Sequence, residues 1–269
     1  VSQQIKPWDL FAGAKFYDLA HALHSSIPVS PNHPGFKMAL MRRHGDMVRA
    51  DGSSASNEVI VMGGHTGTHI DALCHVSYKG ELYGGKSADE AQRGGRFQIL
   101  GTETIPFMFC RGVLLDVAAS LSVDVLPPGF AVTADHLSRS AANQNIRIEK
   151  GDAVLIRTGW THHWNDPDRF LGLTDGAPGP DESGAEWLVQ CGATVVGAET
   201  IAFECIPPGQ GHALLPVHRK LIVENGIHII EAMNLAQLAA DRKSEFLFVV
   251  TPLKVVGATG VPVRPVAVV

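Results

Sequence analysis

The sequence predicts an α/β protein folded as one domain over residues 1–269. Two observations carry this. Short apolar runs alternate with amphipathic stretches through the second half, as strands alternating with helices do. The composition, 45% hydrophobic and 18% charged, is that of an ordinary globular chain, and no linker, repeat or low-complexity tract divides it.

The elements follow in order. The Pro-rich segment Pro28–Gly35 reads as an exposed irregular loop, placed to cover a site or a neighbouring subunit. Gly52–Ser56 reads as a turn, and Glu58–Met62 as a strand leading into a His-rich run. Gly112–Asp116, Asp152–Arg157, Thr194–Ala198, Ile227–Glu231 and Phe246–Val250 are strand-like. Helices are expected from a Thr133 cap through Ala142, and from Glu182 to Cys191, where Gly192 stops the second. Another runs from Pro216 to Asn225 with Gly226 just past its end, and a short one covers Leu235–Ala240.

Composition narrows the function classes. The net charge of −5 comes with no Lys/Arg stripe, so a nucleic-acid partner lacks electrostatic support. No apolar run approaches the roughly 20 residues of a membrane helix. The N-terminus has no basic head before an apolar core, so no signal peptide is expected; Val1 in place of Met leaves room for an upstream segment. Cys74, Cys110, Cys191 and Cys205 form no CxxC pair and read as free thiols of a cytoplasmic protein.

The chemistry concentrates in His65-Thr-Gly-Thr-His69-Ile-Asp71-Ala-Leu-Cys-His75. Imidazole nitrogen and carboxylate oxygen are donor types that Zn²⁺ and Mn²⁺ accept. In an extended strand His65 and His69 would lie roughly 13 Å apart, so the chain must bend for both to serve one ion. Gly67 permits that bend. His69 and Asp71, two apart, point the same way in a strand. His75 follows within reach of the same site. Histidines without a metal are the competing explanation, and the coincidence of ligand types with glycines weighs against it.

Farther along, alternation puts Glu231 on one face with Ile227, Ile229 and Met233. A carboxylate there must be paired or coordinate a metal. His218 opens a helix, where a lone histidine is more often a surface residue. His212 sits in a flexible Gly-rich loop suited to touching substrate. His21 and His24, at helical spacing, and the pair His162–His163 read as surface histidines. G-x-S-x-G, H-E-x-x-H, Walker and G-x-G-x-x-G motifs are missing, which leaves a serine hydrolase or nucleotide enzyme without support.

The His65–His75 run resembles H-x-G-T-H-x-D-x-P-x-H, the signature of the cyclase family of bacterial kynurenine formamidases and isatin hydrolases, with Leu73 in place of the proline. Leu215-Pro-Val-His218-Arg and Gly226–Glu231 resemble its second block. The resemblance implies a swivelling β/α/β fold, with a central mixed β-sheet or barrel-like core flanked by helices, assembled as a homodimer or larger. It implies His65, His69 and Asp71 as ligands of Mn²⁺ or Zn²⁺, one or two ions, and His75 as the catalytic histidine. His218 and Glu231 would complete a second metal position or brace the first.

The expected reaction is cleavage of a C–N bond in a cyclic or aryl amide, isatin-hydrolase-like, by metal-activated water with a histidine proton shuttle. Phe36, Trp8 and Phe203 are, by residue type, candidates to clamp an aromatic ring. The alternatives are N-formylkynurenine hydrolysis, a metal-dependent cyclase or lyase, and a metal-binding protein without activity.

Overall fold

The structure is a computed structural model that describes residue 9 and residues 11–269. Trp8 lies outside the described residues. A nine-stranded mixed sheet draws its strands from both ends of the chain. In chain order they are β1 (Phe16–Asp18), β2 (His69–Asp71), β3 (Met108–Asp116), β4 (Ala153–Arg157), β5 (Val195–Ala198), β6 (His228–Glu231), β7 (Glu245–Val250), β8 (Gly260–Pro262) and β9 (Val266–Val268). Their spatial order is β1-β9-β7-β3-β4-β5-β6-β2-β8.

The centre, β3-β4-β5-β6, is parallel, in the register Val113–Val154–Val196–Ile229. Its Val/Ile/Leu runs are covered on both faces, as parallel strands require. Val113, Leu115, Val154, Ile156 and Val196 face one cluster with Leu137 and Leu188. Leu114, Leu155, Val195 and Ile230 face another, with Phe246, Phe248 and Tyr17. The period-2 alternation of β3 and β4 thus splits their side chains between two cores.

Two helices cover the first face. α1 (Ala134–Asn143) starts at Thr133, whose hydroxyl caps His136 N while the His136 ring returns to the cap backbone. α2 (Glu182–Cys191) is capped by Asp181 and ends at Gly192, left-handed at φ +76°. Both match the sequence expectation. The helix expected over Pro216–Asn225 is only partly α. It makes one turn, α3 (Pro216–His218), and then widens into a π-helix over Arg219–Glu224. His21 and His24 lie on no helix, and His21 is half-buried, stacked 3.8 Å from the Trp164 ring.

Antiparallel ribs flank the parallel centre. β2 inserts between β6 and β8, pairing His69 with Glu231 and Pro262, and Asp71 with Gly260. The C-terminal end of a parallel strand therefore meets the His-rich run directly, a position where open α/β sheets place their ligands. Away from the sheet, Lys37–Arg42 and Asn57–Val61 form a hairpin exposed at every strand residue. Among the described residues no helix is long and apolar enough to cross a membrane.

Candidate metal centre

Gly67 makes the bend the sequence calls for. Its φ is +62°, and a Cβ there would meet Leu23 Cδ2 at 2.6 Å, so both conformation and space favour glycine. The bend brings the His65 and His69 rings to 5.0 Å, centroid to centroid. His69 Nδ1 lies 2.8 Å from the Gly67 carbonyl, to which it donates, leaving Nε2 as the free donor atom. His65 Nε2 is fixed 2.9 Å from Thr259 Oγ1, and its Nδ1 faces Asp71 Oδ1 at 2.9 Å.

Asp71 has no solvent exposure. Its Oδ1 is 3.6 Å from His69 Nε2, and its Oδ2 is 3.6 Å from His218 Nε2. Glu231, delivered by the end of β6, reaches both histidines: Oε2 lies 3.2 Å from His69 Nε2 and Oε1 3.1 Å from His218 Nε2. His218 is aimed by Glu204, which accepts from His218 N at 2.9 Å and lies 2.7 Å from its Nδ1. The structure therefore brings His65, His69, Asp71, His75, His218 and Glu231 together.

Despite these close approaches, His69 Nε2, both Asp71 oxygens and Glu231 Oε1 are buried with no well-aligned hydrogen-bond partner among the described residues. Orphaned polar atoms cost about 1–3 kcal/mol each. Their convergence is what a divalent cation would relieve, and their N/O donor set suits one. His65, Asp71 and His75 make one cluster and His69, Asp71 and Glu231 another, the donor atoms within each lying within 4.8 Å. Asp71 belongs to both. His75, 4.0 Å from the His65 ring, thus stands where a ligand could as well as where a proton carrier could.

Electrostatics separate the histidines. Burial pushes His75 down to about 4, so it is neutral near neutral pH and can accept a proton. Burial also opposes charge on His69, but Glu231 and Asp71 outweigh it and raise His69 to about 9. The cysteines offer no nucleophile among the described residues. Burial pushes Cys74 up to about 12 and Cys205 to about 11.

A pocket of about 50 Å³ opens onto this cluster. Ser30 and His33 from the Pro-rich loop, and His212 from the Gly-rich loop, line it beside Ile201, Ala202 and Leu215. The Pro-rich loop, expected to be exposed and to cover a site or a neighbouring subunit, thus lends two residues to the pocket wall, one of them, Ser30, buried. His212, expected from the sequence to touch substrate, is one of the lining residues. Phe36 and Phe203 do not line the pocket: Phe36 packs among Trp160 and Trp164, and Phe203 is fully buried beneath α1 and α2. Their apolar rings are used in the core, and imidazoles supply the pocket's aromatic surface. Ser30, His33, Glu204 and Thr259 were not legible as site residues. For Glu204 a signal existed, an acid set in the apolar run Ile201–Ile206, the same argument that picks out Glu231.

A family profile described as "Putative cyclase" matches residues 17–205. The chain belongs to the cyclase family. The cyclase match stops before His218 and Glu231, whereas the match to the rice relative below, over 94% of this chain, takes them in. Isatin hydrolase from Roseibium aggregatum is 25% identical over 224 residues, 82% of this chain and 77% of its own. Cyclase-like protein 2 from Oryza sativa subsp. japonica is 28% identical over 258 residues, 94% of this chain and 78% of its own. Among solved structures, a novel cyclase superposes with a TM-score of 0.85 at 28% identity, covering 98% of this chain and 93% of that one. Isatin hydrolase A from Ralstonia solanacearum shares the fold, with a TM-score of 0.73 at 23% identity over 100% of this chain and 99% of that one.

Proposed function

We propose that this cyclase-family chain is a metal-dependent hydrolase that cleaves the C–N bond of a cyclic or aryl amide. The observation that carries this reading is the convergence of orphaned buried donor atoms on Asp71 and Glu231 at the floor of a pocket that also holds a neutral His75. The isatin hydrolase relative supports the amide class.

His65, His69 and Asp71 would hold a divalent cation, Mn²⁺ or Zn²⁺, and Glu231 with His218 would hold a second ion or brace the first. Such a cation supplies an acidified water and a Lewis acid for the carbonyl. His75 takes a proton from the attacking water and returns it to the leaving nitrogen, so one water adds across the C–N bond. Glu204 keeps the His218 ring turned toward Asp71 and Glu231. The pocket has room for a few waters, and Ser30 and His212 stand in its wall.

Among the described residues no Lys or Arg lines the pocket, so a substrate carrying an amino-acid carboxylate would meet no side-chain cation from them. This favours a compact neutral amide such as isatin over N-formylkynurenine. The proposed assembly is a homo-oligomer, supported by the exposed hairpin, and the proposed compartment is a reducing cytoplasm, supported by four free cysteines.

The experiment is hydrolysis of isatin, N-formylkynurenine and cyclic imides by purified protein of measured metal content, run in ¹⁸O-labelled water. Activity should require near-stoichiometric Mn²⁺ or Zn²⁺ and place one labelled oxygen in the product. Full activity after chelation and metal-free dialysis would sink the hydrolase mechanism. Metal-dependent turnover without label in the product would instead mark a cyclase or lyase.

A further inference from the structure

We propose that Ser30 fixes the tautomer of His212, so that the His212 Nε2–H is a hydrogen-bond donor for the substrate's carbonyl oxygen. This rests on the hydrolase reading of the pocket and adds two residues to its machinery.

Ser30 is 4% exposed, so its hydroxyl proton needs a protein acceptor. Among the described residues, the hydrogen-bond partner of its Oγ is His212 Nδ1, at 3.4 Å. An imidazole nitrogen that accepts a proton-bearing hydroxyl is the unprotonated one, so a neutral ring must carry its proton on Nε2. The reverse arrangement, with Nδ1 donating to Ser30, would orphan the buried hydroxyl proton. His212 Nε2 is itself out of solvent and has no hydrogen-bond partner among the described residues, and the residue lines the pocket. A buried donor without a partner, at the wall of a reaction pocket, is a group waiting for an acceptor from the substrate.

Three other imidazoles of the pocket have partners: His65 is tied to Thr259 and Asp71, His69 donates through Nδ1 to Gly67, and His218 is tied to Glu204. His75 is the proton carrier of the proposed reaction, and His33 shares the Pro-rich loop with Ser30. Among the described residues no Lys or Arg lines the pocket, so an imidazole N–H such as the Nε2–H of His212 is what meets negative charge as it grows on a carbonyl oxygen.

The two partners differ in stiffness. Ser30 precedes Pro31, which restricts its backbone to extended conformations, and it follows Pro28 by two residues. His212 follows Gly209 and Gly211, both at positive φ. A braced serine therefore holds a histidine on a supple loop, and the 3.4 Å contact ties together two loops that line the pocket.

The test begins without substrate. In Zn²⁺-loaded protein with ¹⁵N-labelled histidine, the His212 ring signals are assigned by their loss in His212→Gln. The wild type should show His212 protonated at Nε2, and Ser30→Ala should show mixed tautomers, while Ser30→Thr keeps the wild-type form. His212 protonated at Nδ1 in the wild type, or an unchanged tautomer in Ser30→Ala, would overturn the assignment. This readout is independent of what the protein hydrolyses, so failure of the hydrolase reading is seen separately. On whichever amide the wild type turns over, His212→Ala should lower kcat about 10²-fold, the loss of one oxyanion donor, with KM and metal content little changed. His212→Gln, which keeps an N–H, should recover part of that loss. An undiminished kcat in His212→Ala overturns the donor role even with the tautomer as stated.

Discussion

His75 lies 4.0 Å from the His65 ring, within one cluster of potential ligands. Its neutrality suits a proton carrier, and its position suits a ligand, so substitution separates the two. His75→Ala should keep stoichiometric metal and lose hydrolysis by about 10²–10⁴-fold, the usual reach of a general acid–base group. If the variant instead emerges without metal, His75 is a ligand. A second residue makes a sharper test of geometry. A Cβ on Gly260 would meet His65 Cε1 at 2.5 Å and Nδ1 at 2.8 Å, so Gly260→Ala must displace the imidazole that faces Asp71. Metal affinity by titration calorimetry should fall about 10–100-fold, on the scale seen when a ligand loses its support. Affinity equal to wild type would show that the His65 ring binds nothing in that orientation. At this scale, the sequence made His65, His69, Asp71 and His75 legible because ligand types and glycines crowd into one short run. Gly260 and Thr259 were illegible, since Thr259 meets His65 across 194 positions and neither residue type announces a role.

Elements deliver the remaining groups, and how well each could be read depends on its period. β6 alternates cleanly enough to expose Glu231 as an acid on an apolar face. The helix that begins at Pro216 was readable from its proline and from Gly226, but its widening into a π-helix after His218 leaves no mark in a pattern of apolar residues. Glu204 governs how that helix starts. Its carboxylate accepts from Val217 N at 3.1 Å and His218 N at 2.9 Å, capping the first turn, and faces His218 Nδ1 at 2.7 Å. Glu204→Ala removes all three contacts in a buried place. It should lower thermal stability by about 1–3 kcal/mol, the cost of leaving buried donors unmade, and weaken metal binding about 10-fold or more as His218 turns free. Calorimetry reads both. Loss of stability with wild-type metal affinity would separate His218 from the metal and leave Glu204 a helix cap alone.

At the scale of the whole molecule, the α/β alternation was legible wherever strands run long enough to show it, as β3, β4 and β7 do. The mixed order of the sheet was not. β1, β2, β8 and β9 are three residues each, too short to display a period, and their places follow from long-range pairing such as Asp71 with Gly260. The exposed hairpin poses the remaining question at this scale. It pairs Met38 with Ile60 on one face and Ala39 with Val59 on the other, and Met38, Met41 and Val61 are 58%, 69% and 57% exposed. A two-stranded hairpin apolar on both faces is marginally stable alone in water. Apolar surface gathered in one such patch marks an interaction surface. The homo-oligomer proposed above would cover it with a second copy of the chain. Sedimentation should therefore find an oligomer in wild type and a smaller species in Met41→Glu combined with Ile60→Glu. On a free surface the same two changes would alter stability by only about 0.5 kcal/mol each and leave the mass unchanged. A wild type sedimenting as single chains, or a double variant with unaltered mass, would remove the hairpin from the assembly.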